Sequence, residues 1–153
     1  MNAVAAPALT ISETPSVLPA ALRAAYLDTD YLVWSAEPFA LRIGVQSPPL
    51  LALFRSSDVD CAAFLTAWNP IGERLDVASN ARRQQQLDAH LAGMAIARVR
   101  GAGQGRTTQW PAEMSVLALG LTRNDTLRLG RAFEQNAVVW IGPDAVPELL
   151  LLR

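Results

Sequence analysis

The chain contains no lysine. All thirteen of its basic residues are arginine, set against fourteen acids and one histidine. Without lysine there is no amine for Schiff-base chemistry and no lysine clamp for phosphate, while bidentate recognition of a carboxylate or phosphate by arginine stays open. Cys61 is the single cysteine, which excludes an intramolecular disulfide and a cysteine-rich zinc site. His90 is the single histidine, so no His-based triad has a signature here, and neither a metal site nor a cofactor is expected. Long apolar runs are missing as well. Nothing approaches the ~20 residues of a membrane helix, and residues 1–12 lack the basic and apolar regions of a secretory signal. A cytoplasmic protein with no membrane partner is the expectation. The formal net charge of −1 provides no global field for nucleic acid, and the four Trp are too scattered for a base-stacking platform. Nucleic acid is therefore not an expected partner.

What is present is enough for a core. The 153 residues are 51% hydrophobic and 18% charged, which fits one globular domain. Charge is segregated: residues 1–73 hold three Arg against seven acids, residues 74–153 ten Arg against seven acids. The most apolar strand candidate is Ala62-Ala63-Phe64-Leu65-Thr66-Ala67-Trp68-Asn69-Pro70. Its unbroken apolar run reads as a strand buried on both faces. Pro70 cannot join a ladder and should push Asn69 to extended backbone, so the strand must stop there.

Around it, residues 1–14 read as a mobile tail rich in Ala, Pro and Ser. A helix is expected over 16–27, capped by Ser16, then a turn at Asp28-Thr29-Asp30. Strands over 31–34 and 39–43 form a hairpin, and Ser47-Pro48 opens a helix to about 55. The strongest helix runs over 79–93, where Leu87, Leu91 and Met94 step by four and three. Extending that stripe backward turns Gln84 and Asn80 toward the buried face. A half-exposed strand over 95–100 leads into a Gly-rich segment, 101–109, read as a loop. That segment lacks the Lys-Ser/Thr of a phosphate loop and does not run from strand into helix. A strand over 114–121 follows, then a helix capped by Thr122, and strands over 137–141 and 149–152. The fold class is α+β: a single domain, 15–153, with one mixed, mostly antiparallel sheet and about four helices packed on it.

The polar residues worth attention sit at strand ends, where scaffolds present sites. Trp68 offers a flat face and Asn69 a donor and an acceptor. Asn69 can equally close its own loop as an Asx-turn. A buried Asn80 needs a partner, and Asn69 or its loop backbone is the natural one. In Trp110-Pro111-Ala112-Glu113-Met114-Ser115, Glu113 shares a strand face with Ser115, Leu117 and Leu119. An inward carboxylate asks for a cation, and Arg42 is the expected partner; a catalytic carboxylate with a raised pKa is the sharper alternative. Gln135-Asn136 joins the last helix to a strand, and Asn136 reads either as a left-handed helix cap or as a ligand contact.

Together these pieces resemble a bacterial family known as domain of unknown function 3293. The matching segments are Ala25-Tyr26-x-x-Thr29-x-Tyr31, Leu41-Arg42-Ile43-Gly44, Phe64-Leu65-Thr66-Ala67-Trp68-Asn69-Pro70, Asn80 with its helix, Trp110-Pro111-x-Glu113-x-Ser115 and Gln135-Asn136-Ala137-Val138-Val139-Trp140. The family pattern has Ser shortly after Asn-Pro, where Ile71-Gly72 stands here, and tends to Gly before Gln-Asn, where Glu134 stands. The resemblance implies a map of polar positions and no reaction. The expectation is a small-molecule pocket at the 66–70 strand end, lined by Trp68, Asn69, Asn80, Trp110, Glu113, Gln135 and Asn136. The alternative is a protein-interaction domain whose polar groups satisfy one another.

Overall fold

The computed structural model describes residues 18–107 and 111–153. The expected tail over 1–14, the Ser16 cap and Trp110 lie outside the described residues.

In chain order the elements are α1 (Ala20–Leu27), β1 (Thr29–Val33), β2 (Phe39–Leu41), α2 (Pro48–Ser57), β3 (Ala62–Leu65), a 3-10 turn (Pro70–Gly72), α3 (Val77–Gly93), β4 (Ala97–Gly105), β5 (Glu113–Leu119), α4 (Arg123–Ala132), β6 (Ala137–Ile141) and β7 (Pro147–Leu151). The strands form one sheet in the order β2-β1-β4-β5-β3-β6-β7. Every pairing among the described residues is antiparallel. The class is α+β as read, though among the described residues no parallel pair makes the sheet mixed.

The sheet curls. Just beyond β2, the Gly44 amide donates to the Pro147 carbonyl of β7 at 2.9 Å, and the Ser47 amide donates to Ala145 at 3.0 Å. The two outer strands are thus laced together at one end. Alternating side chains divide into two cores. Tyr31, Val33, Leu41, Phe64, Leu117, Val139 and Leu149 fill the concave side together with Leu50 and Phe54 of α2. Ala63, Leu65, Val116, Ala118, Val138 and Leu150 face the other way, under Leu87 and Leu91 of α3 and Leu129 of α4. β3 is buried at all four positions, as its unbroken apolar run requires, because both its faces meet helices or the closed interior.

Local chemistry explains the helices. Ser47 caps α2 by accepting the Leu50 amide, with Pro48 in the first turn. Thr122 caps α4 by accepting the Asp125 amide. α3 starts two residues before the expected position because Asp76 is its cap. The Ser79 amide and hydroxyl both donate to the Asp76 carboxylate and hold it below the usual carboxylate range. α1 carries no side-chain cap at its N-terminus. Its end is fastened instead: the Thr29 hydroxyl donates to the Ala25 carbonyl and the Tyr31 hydroxyl to the Tyr26 carbonyl, each at 2.7 Å.

Four local expectations are corrected. Thr29 and Asp30 belong to β1 and not to a turn, since five residues of β1 pair with β4. The Gly-rich segment is strand through Gly105: Gly101, Gly103 and Gly105 alternate on one face, β1 pairs along them, and at Gly101 the bare Cα leaves room for the Leu32 backbone. Asn69 is left-handed, φ 48 and ψ 66, and not extended. Proline disfavours the right-handed helical region for the preceding residue, and asparagine tolerates the left-handed one. Asn136 is not the left-handed cap of α4; that backbone falls on Glu134, φ 58.

Candidate functional site

At the end of β3 the chain leaves the sheet, and residues 67–69 must find other partners for their backbone. Side chains supply most of them. The Ala67 amide donates to Gln84 Oε1 at 2.8 Å and its carbonyl accepts from Arg83 Nε at 2.8 Å. The Trp68 amide donates to Thr66 Oγ1 at 3.1 Å and its carbonyl accepts from Gln135 Nε2 at 3.0 Å. The Asn69 amide donates to Asn80 Oδ1 at 2.9 Å and its carbonyl accepts from the Gly72 amide. Arg83 also reaches the Phe133 carbonyl with Nη2 at 2.6 Å, so this side chain ties α4 to the corner.

The corner presents one side chain to the concave side. Asn69 Oδ1 accepts from the Leu75 amide at 3.1 Å and from Asn80 Nδ2 at 2.9 Å. With its carbonyl fixed that way, Asn69 Nδ2 donates to Glu113 Oε2 at 2.8 Å. Glu113 lies at the open end of β5, on the inward face with Ser115 and Leu117, as the strand alternation dictates. The expected pair with Arg42 is not made: Arg42 lies 3.8 Å from Asp30 on the neighbouring strand, and Glu113 has the Asn69 amide instead.

Glu113 borders a cavity of about 220 Å³ under α1, at the mouth of the curled sheet. The strand register builds it. Tyr31 on β1, Gly103 on β4 and Glu113 on β5 are successive partners in one row of inward positions. Glycine in the middle leaves a gap between a phenol ring and a carboxylate. A methyl at Gly103 would meet nothing closer than Thr29 Cγ2 at 3.8 Å, so the space is open. Tyr26 and Leu22 of α1 close the cavity from above, and Phe64, Val139 and Leu149 form apolar wall. The Tyr31 and Phe64 rings meet edge to face, centroids 5.3 Å apart.

The electrostatics follow from this wall. Among the described residues no basic side chain lines the cavity. Burial pushes the Glu113 carboxyl up from its ordinary value, and the Asn69 hydrogen bond opposes that only in part. The Tyr26 hydroxyl is pushed up to about 12, first by burial and then by the nearby Glu113 charge, against a hydrogen bond with Asn136. Tyr31 is displaced in the same direction, mainly by burial. An acid whose folded pKa is raised favours folding in its protonated form. Its contribution is fully present below the unfolded pKa and is lost as pH rises through the folded value. Glu113→Gln is therefore expected to raise stability at pH 7 by about 1 kcal/mol, roughly 2–4 °C in Tm. The gain should vanish below the ordinary carboxylate range, where both side chains are neutral. Thermal melts of both proteins from pH 3 to 8 check the sign.

The candidate residues thus separate. Asn69, Glu113, Gln135 and Asn136 line the cavity. Asn80, 1% exposed, stands behind Asn69 and holds it. Trp68 does not line the cavity, and its buried indole N–H has no partner among the described residues. Tyr26, Thr29, Tyr31, Thr66 and Ser115 also line it and were not among the expected site residues, although three of them stand in the Ala25-Tyr26-x-x-Thr29-x-Tyr31 segment. Elsewhere, the Cys61 thiol donates to the Leu121 carbonyl at 3.3 Å and is pushed up by burial, which fits a packing role. Among the described residues no cluster of three His, Cys, Asp or Glu is placed to hold a metal ion, and no helix is long and apolar enough to cross a membrane.

No curated protein and no solved structure matches the chain. A family model described as Protein of unknown function (DUF3293) matches residues 65–138. That span opens on the last residue of β3 and ends within β6, and it contains Asn69, Asn80, Glu113, Gln135 and Asn136. The resemblance to DUF3293 is thereby shown, over the stretch that builds the corner and carries its carboxylate.

Proposed function

We propose that the protein binds a small molecule in the cavity between α1 and the concave face of the sheet, at the 66–70 strand end. One observation carries this reading. In the row Tyr31–Gly103–Glu113 the sequence leaves out a side chain beside a half-buried carboxylate that no described cation neutralises. A glycine inside a strand gives up packing and costs roughly 0.5–1 kcal/mol of backbone entropy. A desolvated carboxylate without a counter-ion adds to that cost. Both are expenses against stability of the kind that binding sites carry.

The test fills the gap. Gly103→Val places a β-branched side chain on a strand position with space around it, and is expected to fold with stability equal to wild type or up to about 1 kcal/mol higher. Wild type and variant are screened by thermal shift against nucleotides, sugars, amino acids, organic acids and amines. A ligand at 100 times its dissociation constant adds roughly 2.7 kcal/mol, a shift of several degrees. Shifts seen in wild type and abolished in the folded variant support the pocket. A wild type that answers to none of these compounds rejects it and returns the weight to a protein-interaction role.

A further inference from the structure

Four of the five hydroxyl groups that line the cavity have already committed their protons. Thr29 Oγ1 donates to the Ala25 carbonyl at 2.7 Å, Tyr31 Oη to Tyr26 at 2.7 Å, Thr66 Oγ1 to Met114 at 2.7 Å and Ser115 Oγ to Glu113 at 2.9 Å, all to backbone oxygens. Gln135 Nε2 is engaged by the Trp68 and Phe133 carbonyls, and Asn69 Nδ2 by Glu113. The Tyr26 oxygen accepts from the Asn136 side-chain amide, which opposes the rise of its pKa, so its own proton is not committed there. A hydroxyl whose proton is committed can only accept, and an ionised carboxylate is an acceptor alone. What the cavity offers an incoming molecule is therefore mostly lone pairs, with one formal negative charge and aromatic rings, and the Tyr26 O–H as the lining hydroxyl still able to donate.

We infer that the ligand of this cavity is a compact organic cation, an ammonium or guanidinium on a small apolar body, seated between Glu113 and the rings of Tyr26 and Tyr31. This rests on the pocket proposed above and names what the pocket takes. An anion would meet Glu113 with no basic residue to offset it. A neutral acceptor-rich ligand would find few free donors. A cation supplies N–H groups to the acceptors, and a charge-assisted bond to a carboxylate away from bulk water is stronger than a neutral one. Its positive charge also lies against aromatic faces, whose π-electrons attract it. The size agrees: about 220 Å³, at roughly 30 Å³ for each water-sized group, holds on the order of seven such groups.

The charge of Glu113 makes binding depend on pH in one direction. The titratable groups facing it are Tyr26 from α1 and Tyr31 from β1, and β4 presents Gly103 alone in that row. Both phenols stay protonated across the neutral range, so the pH dependence belongs to Glu113. Protons compete with the cation, and affinity falls as pH drops through the carboxyl's titration.

The experiment titrates n-butylamine, benzylamine and methylguanidine, and in parallel butyrate, benzoate and n-butanol, into wild type, Glu113→Gln and Gly103→Val. Binding is read by calorimetry and thermal shift at pH 5, 6.5 and 8. The expected result has three parts. The amines or the guanidine bind wild type in preference to their acid and alcohol counterparts. Glu113→Gln weakens them at least roughly tenfold, and Gly103→Val abolishes binding. Affinity for the cations rises from pH 5 to pH 8. If the acids or the alcohol bind as well as the cations and Gly103→Val still abolishes binding, the pocket stands and the cation inference falls. Binding of the cations that Gly103→Val leaves intact overturns both, because the site is then elsewhere. No binding by any of the six overturns the cation inference, and the broader screen above decides the pocket separately. Should Glu113→Gln fail to fold, the pH series in wild type and the Gly103→Val arm decide the matter without it.

Discussion

Gly101→Ala is expected to cost about 4 kcal/mol, roughly 10–15 °C in Tm for a chain of this size. The added carbon would lie 1.9 Å from the Leu32 carbonyl oxygen, 3.1 Å from its carbon and 3.3 Å from the Phe64 ring. The first two atoms are backbone, so no change of rotamer relieves the contact. β1 must move away from β4 where Val33 faces Gly101, and the five-residue pairing of those strands is strained with it. Ordinary overpacking of a core costs about 1–3 kcal/mol because side chains give way; a clash with a neighbouring strand's backbone exceeds that. β1 also carries Tyr31 and pairs with β2, so the damage reaches the cavity and the outer strand together. Gly103→Val is the control, two residues along on the same face. There the nearest atom to a new Cβ is 3.8 Å away and the protein should hold its stability. Urea denaturation of both variants gives the comparison. Equal, small effects would show that β1 and β4 do not approach as closely as described.

The two glycines show why the fold was more legible than the site. Short apolar runs located β3, β5 and β6, and the caps at Ser47 and Thr122 located α2 and α4, because these signals are local and physical. A Gly-x-Gly-x-Gly run sends the opposite local signal. Lacking side chains, it reads as a loop, and only the register with Tyr31 and Glu113 reveals a strand that keeps one face empty. The period of two was visible at Gly101, Gly103 and Gly105 and could have been read as a strand with its inner face cleared. Asn80 and Gln84 were placed on the inner face of α3 by helical spacing, and the expectation that Asn80 would need Asn69 or its loop matches the geometry. The Arg42–Glu113 pair failed for a reason sequence does not hold: Asp30 lies on the strand next to Arg42, a fact of strand order. Tyr26 reaches the cavity through the placement of α1, and Tyr31 through the pairing of β1 with β4. Ile71 and Glu134 both have left-handed backbone, φ 57 and φ 58. They also meet: the Ile71 amide donates to the Glu134 carbonyl at 2.7 Å. Two left-handed residues joined in this way are a strained contact that the corner must hold.

Asn80→Leu should destabilise the protein by about 3–4 kcal/mol, although leucine matches asparagine in bulk, suits a helix better and would sit at a position 1% exposed. The loss isolates the polar role. Without the amide, the Asn69 N–H has no acceptor, the Leu75 carbonyl loses the N–H that reaches it at 3.3 Å, and Asn69 Oδ1 keeps one donor of two. Each buried polar group left unmatched costs roughly 1–3 kcal/mol. The consequence travels one step further. Asn69 holds a left-handed backbone before a proline because its side chain is fixed from three sides, and that same side chain fixes Glu113. Releasing Asn69 frees the carboxylate without touching it. A double-mutant cycle of Asn80→Leu with Glu113→Gln measures this: the two changes are expected to be non-additive by at least about 0.5 kcal/mol, more than independent sites show. Urea denaturation of the four proteins provides the numbers. Additive effects would mean that the corner and the carboxylate are independent, and that Asn80 serves only the turn behind it. Coupling would mean that the pair of asparagines positions the acid, with α3 and the sheet setting the direction in which the cavity's one charge can point.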